Sequence, residues 1–139
     1  MTDTMTAVVM TEGGPAVAQR PVPTPGPGEV AVAATAWALN NADLTTEPDG
    51  RIPGFEFAGR VTGTGDGVDP GLVGTRVMGL GGAAFADVVI AHHRHVIPVP
   101  DELTDAEAAP LTTALITEHG ALTASGMAAV SSRSAMAAA

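Results

Sequence analysis

The sequence predicts an all-β barrel or sandwich finished by one or two short helices at its C-terminal end. Short alternating segments, each bounded by Gly, Pro or Asp, fill the first two-thirds of the chain. The 17 Gly and 11 Pro among 139 residues supply many turns without reaching a low-complexity composition. At Pro100 the character changes and helix-start chemistry takes over. A chain of this length suits one domain and buries enough surface to hold a core without disulfides or a structural metal.

Alternation places strands at Met5–Met10, Ala16–Val22, Glu29–Ala36, Phe55–Gly63, Thr75–Leu80, Phe85–Ile90 and His95–Val99. The prolines of the stretch from Pro21 to Gly28 fix φ and remove donors, so that stretch is an exposed extended connector. Gly63 to Gly71 reads as a pair of turns. Thr104-Asp105-Ala106-Glu107 is a capping box that starts a short helix, and Pro110 breaks or kinks it. A second helix runs from about Leu111 to Leu122 with Leu111, Leu115 and Leu122 on one stripe and Glu118 in its middle. The Ala/Ser-rich tail over 123–139 is a helix or a frayed end.

Six Arg, no Lys and fifteen acidic residues give a net charge of −9, which leaves little to bind a phosphate backbone or an anionic membrane. No partner of either kind is therefore expected. The absence of Cys removes disulfides, thiol nucleophiles and thiolate zinc sites. The first ten residues lack both a basic region and a long apolar stretch, so neither a signal peptide nor a membrane span is expected, and a cytoplasmic location follows by default.

Five segments in order carry a family resemblance: Gly26-Pro27-Gly28-Glu29-Val30, Ala38-Leu39-Asn40-Asn41-Ala42-Asp43-Leu44, Pro53-Gly54-Phe55-Glu56-Phe57-Ala58-Gly59, Gly74-Thr75-Arg76-Val77-Met78-Gly79-Leu80, and Val96-Ile97 before Pro98-Val99-Pro100. Together they resemble the medium-chain dehydrogenase/reductase superfamily, in particular its zinc-independent quinone oxidoreductases and the enoyl-reductase domains of polyketide synthases. The resemblance implies a GroES-like, mainly β, partly open barrel over 1–122, with 123–139 as a tail. In that family a Rossmann domain that holds NADPH follows; after Leu122 no G-x-G-x-x-G appears, so a chain lacking it, with no cofactor of its own, is expected. Tyr and Lys, which such enoyl reductases often use as proton donors, are absent, and Asn40-Asn41 stands where the zinc branch has a Cys.

The resemblance puts Asn40, Asn41 and Asp43 at the substrate pocket, where amide donors can hold a carbonyl or enolate oxygen; the alternative is local turn bonding. Beside them Leu39 and Trp37 are expected to bind substrate, Trp37 standing where the family has a small residue and offering an indole to a flat ligand; it can equally be a core filler. Glu56 faces away from Phe55 and Phe57, as a substrate-binding residue or as a structural hydrogen-bonding one, since a buried carboxylate needs partners. Thr117 matches a Thr that the family keeps beside the nicotinamide, and His119 is the candidate general acid or base. Glu118 reads as a solvated position. In His92-His93-Arg94-His95, His93 and His95 share a face if extended, yet a metal needs further ligands, and a solvated loop is expected.

These readings converge on a small-molecule-binding domain detached from NADPH chemistry, a cofactor-independent cyclase or isomerase acting on an apolar, polyketide-like carbonyl substrate. The alternatives are the substrate half of a quinone or enoyl reductase needing a separate Rossmann subunit, and a non-catalytic interaction module. Exposed edges and apolar patches left by the missing domain are expected to be covered in a homodimer.

Overall fold

The computed structural model describes residues 3–126. Among the described residues seven strands run in chain order: β1 (Thr4–Thr11), β2 (Gly14–Pro21), β3 (Glu29–Ala38), β4 (Glu56–Thr64), β5 (Arg76–Leu80), β6 (Val88–His92) and β7 (Val96–Pro98). Two helices follow, α1 (Asp105–Ala108) and α2 (Leu111–Ala124). The fold is the mainly β, GroES-like one that the sequence implies.

β3 to β7 form an antiparallel sheet in the order β6-β3-β4-β5-β7, while β1 and β2 pair as a separate hairpin. The hairpin joins the sheet through the segment ahead of β6: the Val8 amide donates to Phe85 O (2.8 Å), and the Asp87 amide donates to Thr6 O (3.0 Å). Met5 and Ala7 then pack on Ala86, with Val22, Ile52 and Val88 around them. The main core lies between the sheet's own strands, where Val30, Val32, Phe57, Val61, Val77 and Val89 are almost fully buried. Burying side chains of this size is worth about 1.5–3 kcal/mol each.

Gly59 is required by close approach, since a Cβ there would lie 2.1 Å from Ala33 O. Beside it the β3–β4 register shifts between Ala34 and Ala36, which leaves Thr35 as the extra residue of a bulge. The freed Thr35 hydroxyl donates to Asp105 Oδ2 (2.5 Å) at the start of α1, and Arg76 of β5 donates to Asp105 Oδ1 (2.7 Å) and to Leu103 O (2.8 Å). One carboxylate thus ties α1 to two strands. The capping box is present, Thr104 Oγ1 accepting from the Glu107 amide and Glu107 accepting from the Thr104 amide.

Several boundaries differ from the expected ones. The strand expected at Phe85–Ile90 is Val88–His92, because Phe85 to Asp87 hydrogen-bond to β1. That expected at His95–Val99 is Val96–Pro98, because His93–His95 turn as a 3-10 helix; His93 and His95 are therefore not on an extended chain. The Leu111–Leu122 stripe is not a buried one. Leu111 packs partly against Met78, Val99 and Ala108, whereas Leu115 and Leu122 are exposed. Of the tail, residues 123–126 finish α2 and its C-cap; 127–139 lie outside the described residues.

The Thr35 and Arg76 contacts, in that order, hold the Asp105 carboxyl below its usual value of 3.8. A carboxyl depressed on folding adds stability that is complete above its unfolded value and is lost as pH falls through the folded one. Asp105→Asn is therefore expected to cost about 1–2 kcal/mol at neutral pH, with the gap to the parent narrowing below pH 3.8, as read from urea denaturation across pH.

Candidate functional site

The site is organised by Glu56, the first residue of β4, which is 1% exposed and pairs in register with Ala38 at the end of β3. Its Oε2 accepts from Asn40 Nδ2 (3.0 Å) and its Oε1 accepts from the Thr113 amide (2.7 Å). Thr113 is the third residue of α2, whose N-cap is Pro110, a residue with no side-chain cap to offer. The carboxylate therefore caps the helix from a distant strand, satisfying one of its orphan amides and meeting the positive end of the helix dipole. Asn40 gains a fixed carboxamide from the same contact.

Asn40 opens a 3-10 turn, Asn41–Thr45, in which the Asn40 amide donates to Asp43 Oδ2 (2.7 Å) and the Asp43 amide donates to Asn40 O (2.9 Å). Asp43 is buried by this reciprocal bonding; Asn41 and Leu39 are exposed on either side of Asn40. Asn40, Asp43 and Glu56 are thus brought into one hydrogen-bonded unit, with Asn41 at its rim. Glu56 has an oxygen committed to each of two partners, and in this arrangement it positions Asn40.

Two apolar depressions of about 270 Å3 each lie in the domain, and the second shares Asp43 with this unit, whereas Asn40, Asn41 and Glu56 line neither. Trp37 lines the first and Leu39, Asp43 and Leu44 line the second, while Val8 and Phe85 belong to both. Phe85 is seated by Gly54, whose φ of +91° and missing Cβ matter here: a Cβ would lie 2.5 Å from the Phe85 ring. The Trp37 indole is held in place by its Nε1–H, which donates to Ala86 O (3.2 Å).

Thr117, Glu118 and His119 sit on the exposed part of α2, and none of them lines either depression. His92, His93 and His95 cluster at the turn after β6, with ring centroids 4.8 Å apart for His92 and His93 and 5.5 Å for His92 and His95. Among the described residues no three His, Cys, Asp or Glu converge as metal ligands. The Thr113 amide was not among the sequence candidates; its one signal was a proline N-cap, which leaves the following helix in need of a remote acceptor.

Comparison with known proteins adds four findings. The alcohol dehydrogenase GroES-like domain family matches over residues 26–101. A mycocerosic acid synthase-like polyketide synthase from Mycobacterium tuberculosis is 42% identical over 102 residues, spanning 67% of this chain and 5% of that protein. The trans-enoyl reductase tndF from Aspergillus flavipes is 34% identical over 142 residues, spanning 87% of this chain and 41% of that one. In fold, the quinone oxidoreductase from Coxiella burnetii superposes with a TM-score of 0.74 at 24% identity, over 87% of this chain and 45% of that one. The chain therefore spans less than half the length of each of these relatives.

Two outcomes follow from the geometry. Glu56→Gln retains only one acceptor oxygen for two donors, so a loss of about 1–3 kcal/mol in unfolding free energy is expected; an unchanged denaturation midpoint would contradict the tie. Desolvation first, then His93, His95 and Arg94, holds the His92 imidazole below its usual value of 6.5, and its Nδ1 accepts from the Arg94 amide. The fold thus favours neutral His92: stability is complete above 6.5 and falls as acid protonates the ring through its lower folded value. His92→Gln should flatten the rise in thermal midpoint between about pH 5 and pH 7.

Proposed function

The chain belongs to the alcohol dehydrogenase GroES-like domain family, part of the medium-chain dehydrogenase/reductase superfamily, and on that premise we propose that it is the substrate-holding half of an enoyl or quinone reductase acting on a polyketide-like carbonyl compound. The observation that carries this reading is the Asn40 carboxamide, locked by a fully buried Glu56 and lying in the chain between Leu39 and Asp43, which line an apolar depression. One Asn40 Nδ2 proton serves Glu56, which leaves the second, with the Asn41 amide, to donate to a carbonyl oxygen as negative charge gathers on it.

The family implies a nicotinamide dinucleotide, and the described residues do not fit its pyrophosphate. The start of α2 already holds the Glu56 carboxylate, which repels a phosphate from that helix end, and among the described residues no strand, glycine turn and helix follow one another. The reductant therefore belongs to a nucleotide domain on another chain or outside the described residues. The exposed Leu115, Ile116 and Leu122 of α2 need a covering partner, which such a domain or a second copy of the chain would supply.

A second reading is a cofactor-independent cyclase or isomerase. It is favoured by one observation, that the depression and the Asn40–Asp43 turn lie within the same chain, with Asp43 belonging to both. The two readings separate by turnover: crotonyl-N-acetylcysteamine consumed only with NADPH and an added nucleotide domain supports the reductase half, and consumption by this chain alone supports the other. Under either reading Asn41→Ala should weaken calorimetric binding of the thioester about tenfold by removing one donor; unchanged binding would remove the carbonyl site.

A further inference from the structure

We propose that the trough walled by Trp37, Val8 and Phe85 is an acyl-tail subsite for a neutral, apolar chain of several carbons, and that Trp37 sets the chain-length preference. The proposal deepens the reading above and rests on it for where the carbonyl sits. Val8 and Phe85 line both depressions, so the two are direct neighbours, one reaching Trp37 and the other reaching Asp43 and Leu44 of the 3-10 turn. Each depression, at about 270 Å3, falls just below the roughly 300–1,000 Å3 that encloses a whole ligand, which suits a segment of one.

The polar groups along the trough argue for the chemistry of its occupant. Asp87 lines the Trp37 end and Asp43 the other, each with an oxygen taken by a backbone amide, of Thr6 and Asn40 respectively. Those carboxylates disfavour an anionic ligand by like charge. The walls between them are apolar side chains. Trp37 is 43% exposed, yet its indole is not free to turn, because Nε1–H is bound to Ala86 O. A large ring fixed in orientation and half in solvent makes a preformed wall at little entropic cost.

Trp37 is the sole tryptophan and the chain has no tyrosine, so its emission reports on the trough directly. The 139-residue protein is titrated with hexanoyl-N-acetylcysteamine, acetyl-N-acetylcysteamine, hexanol and hexanoate. The hexanoyl thioester is expected to blue-shift Trp37 emission and to bind roughly tenfold more tightly than the acetyl one, hexanoate failing to bind. Val8→Gln, at a half-buried position, and Trp37→Ala, each first checked for an unchanged thermal midpoint and then followed by calorimetry, should each reduce the hexanoyl thioester to the affinity of the acetyl one. Equal affinities of the two thioesters in the parent protein, or binding that leaves Trp37 emission unchanged, overturn the proposal. Hexanol binding as tightly as the hexanoyl thioester, with Asn40→Ala affecting neither, upholds the tail subsite and overturns the carbonyl reading instead.

Discussion

A buried carboxylate with no cation beside it has to be answered by donors, and Glu56 finds them in two places far apart in the chain. One is the Asn40 carboxamide at the end of β3 and the other is the Thr113 amide at the start of α2. Burying a charged group without partners costs several kcal/mol, so the fold is stable only while both donors stay in place. That requirement fixes where α2 begins, how β3 ends, and which way Asn40 points. The candidate site is a consequence of satisfying this one residue.

A second carboxylate does similar work on the opposite flank. Asp105 takes Thr35 from the β3 bulge and Arg76 from β5, holding the α1 end of the chain against the sheet. Between the two ties, Ala108, Ala109 and Leu111 pack on Ala58, Met78 and Val99, so the turn from α1 into α2 is both bonded and buried. Beyond Thr113 neither support continues, and α2 extends into solvent with apolar side chains on view. The first turn of the helix is packed into the domain, whereas its remainder leaves Leu115, Ile116 and Leu122 uncovered.

What the sequence made legible was local. The Thr104–Glu107 capping box, the seven alternating segments and the turns at Gly and Pro depend on residues a few positions apart, and they stand in the structure with shifts at their ends. What it hid was tertiary. Glu56 meets donors 16 and 57 positions away, and no periodicity reports such a pairing. Phe85 to Asp87 alternate like a strand of the main sheet, yet Phe85 O and the Asp87 amide bond to β1 and only Asp87 O accepts from β3, at Ala34, because pattern records burial and not the identity of the neighbour. The leucine spacing of α2 is helical as read, but spacing alone does not say whether anything covers the stripe.

Glu56 engages one proton of the Asn40 carboxamide, and the proposed site requires the other to be free for a ligand. Nitrogen-resolved NMR of the Asn40 side-chain amide tests it most directly. With one proton engaged by Glu56, two well-separated proton resonances are expected, one slow to exchange and unmoved by crotonyl-N-acetylcysteamine, the other fast to exchange and shifted by it. Two protons that exchange alike, with neither moved by the thioester, would contradict it.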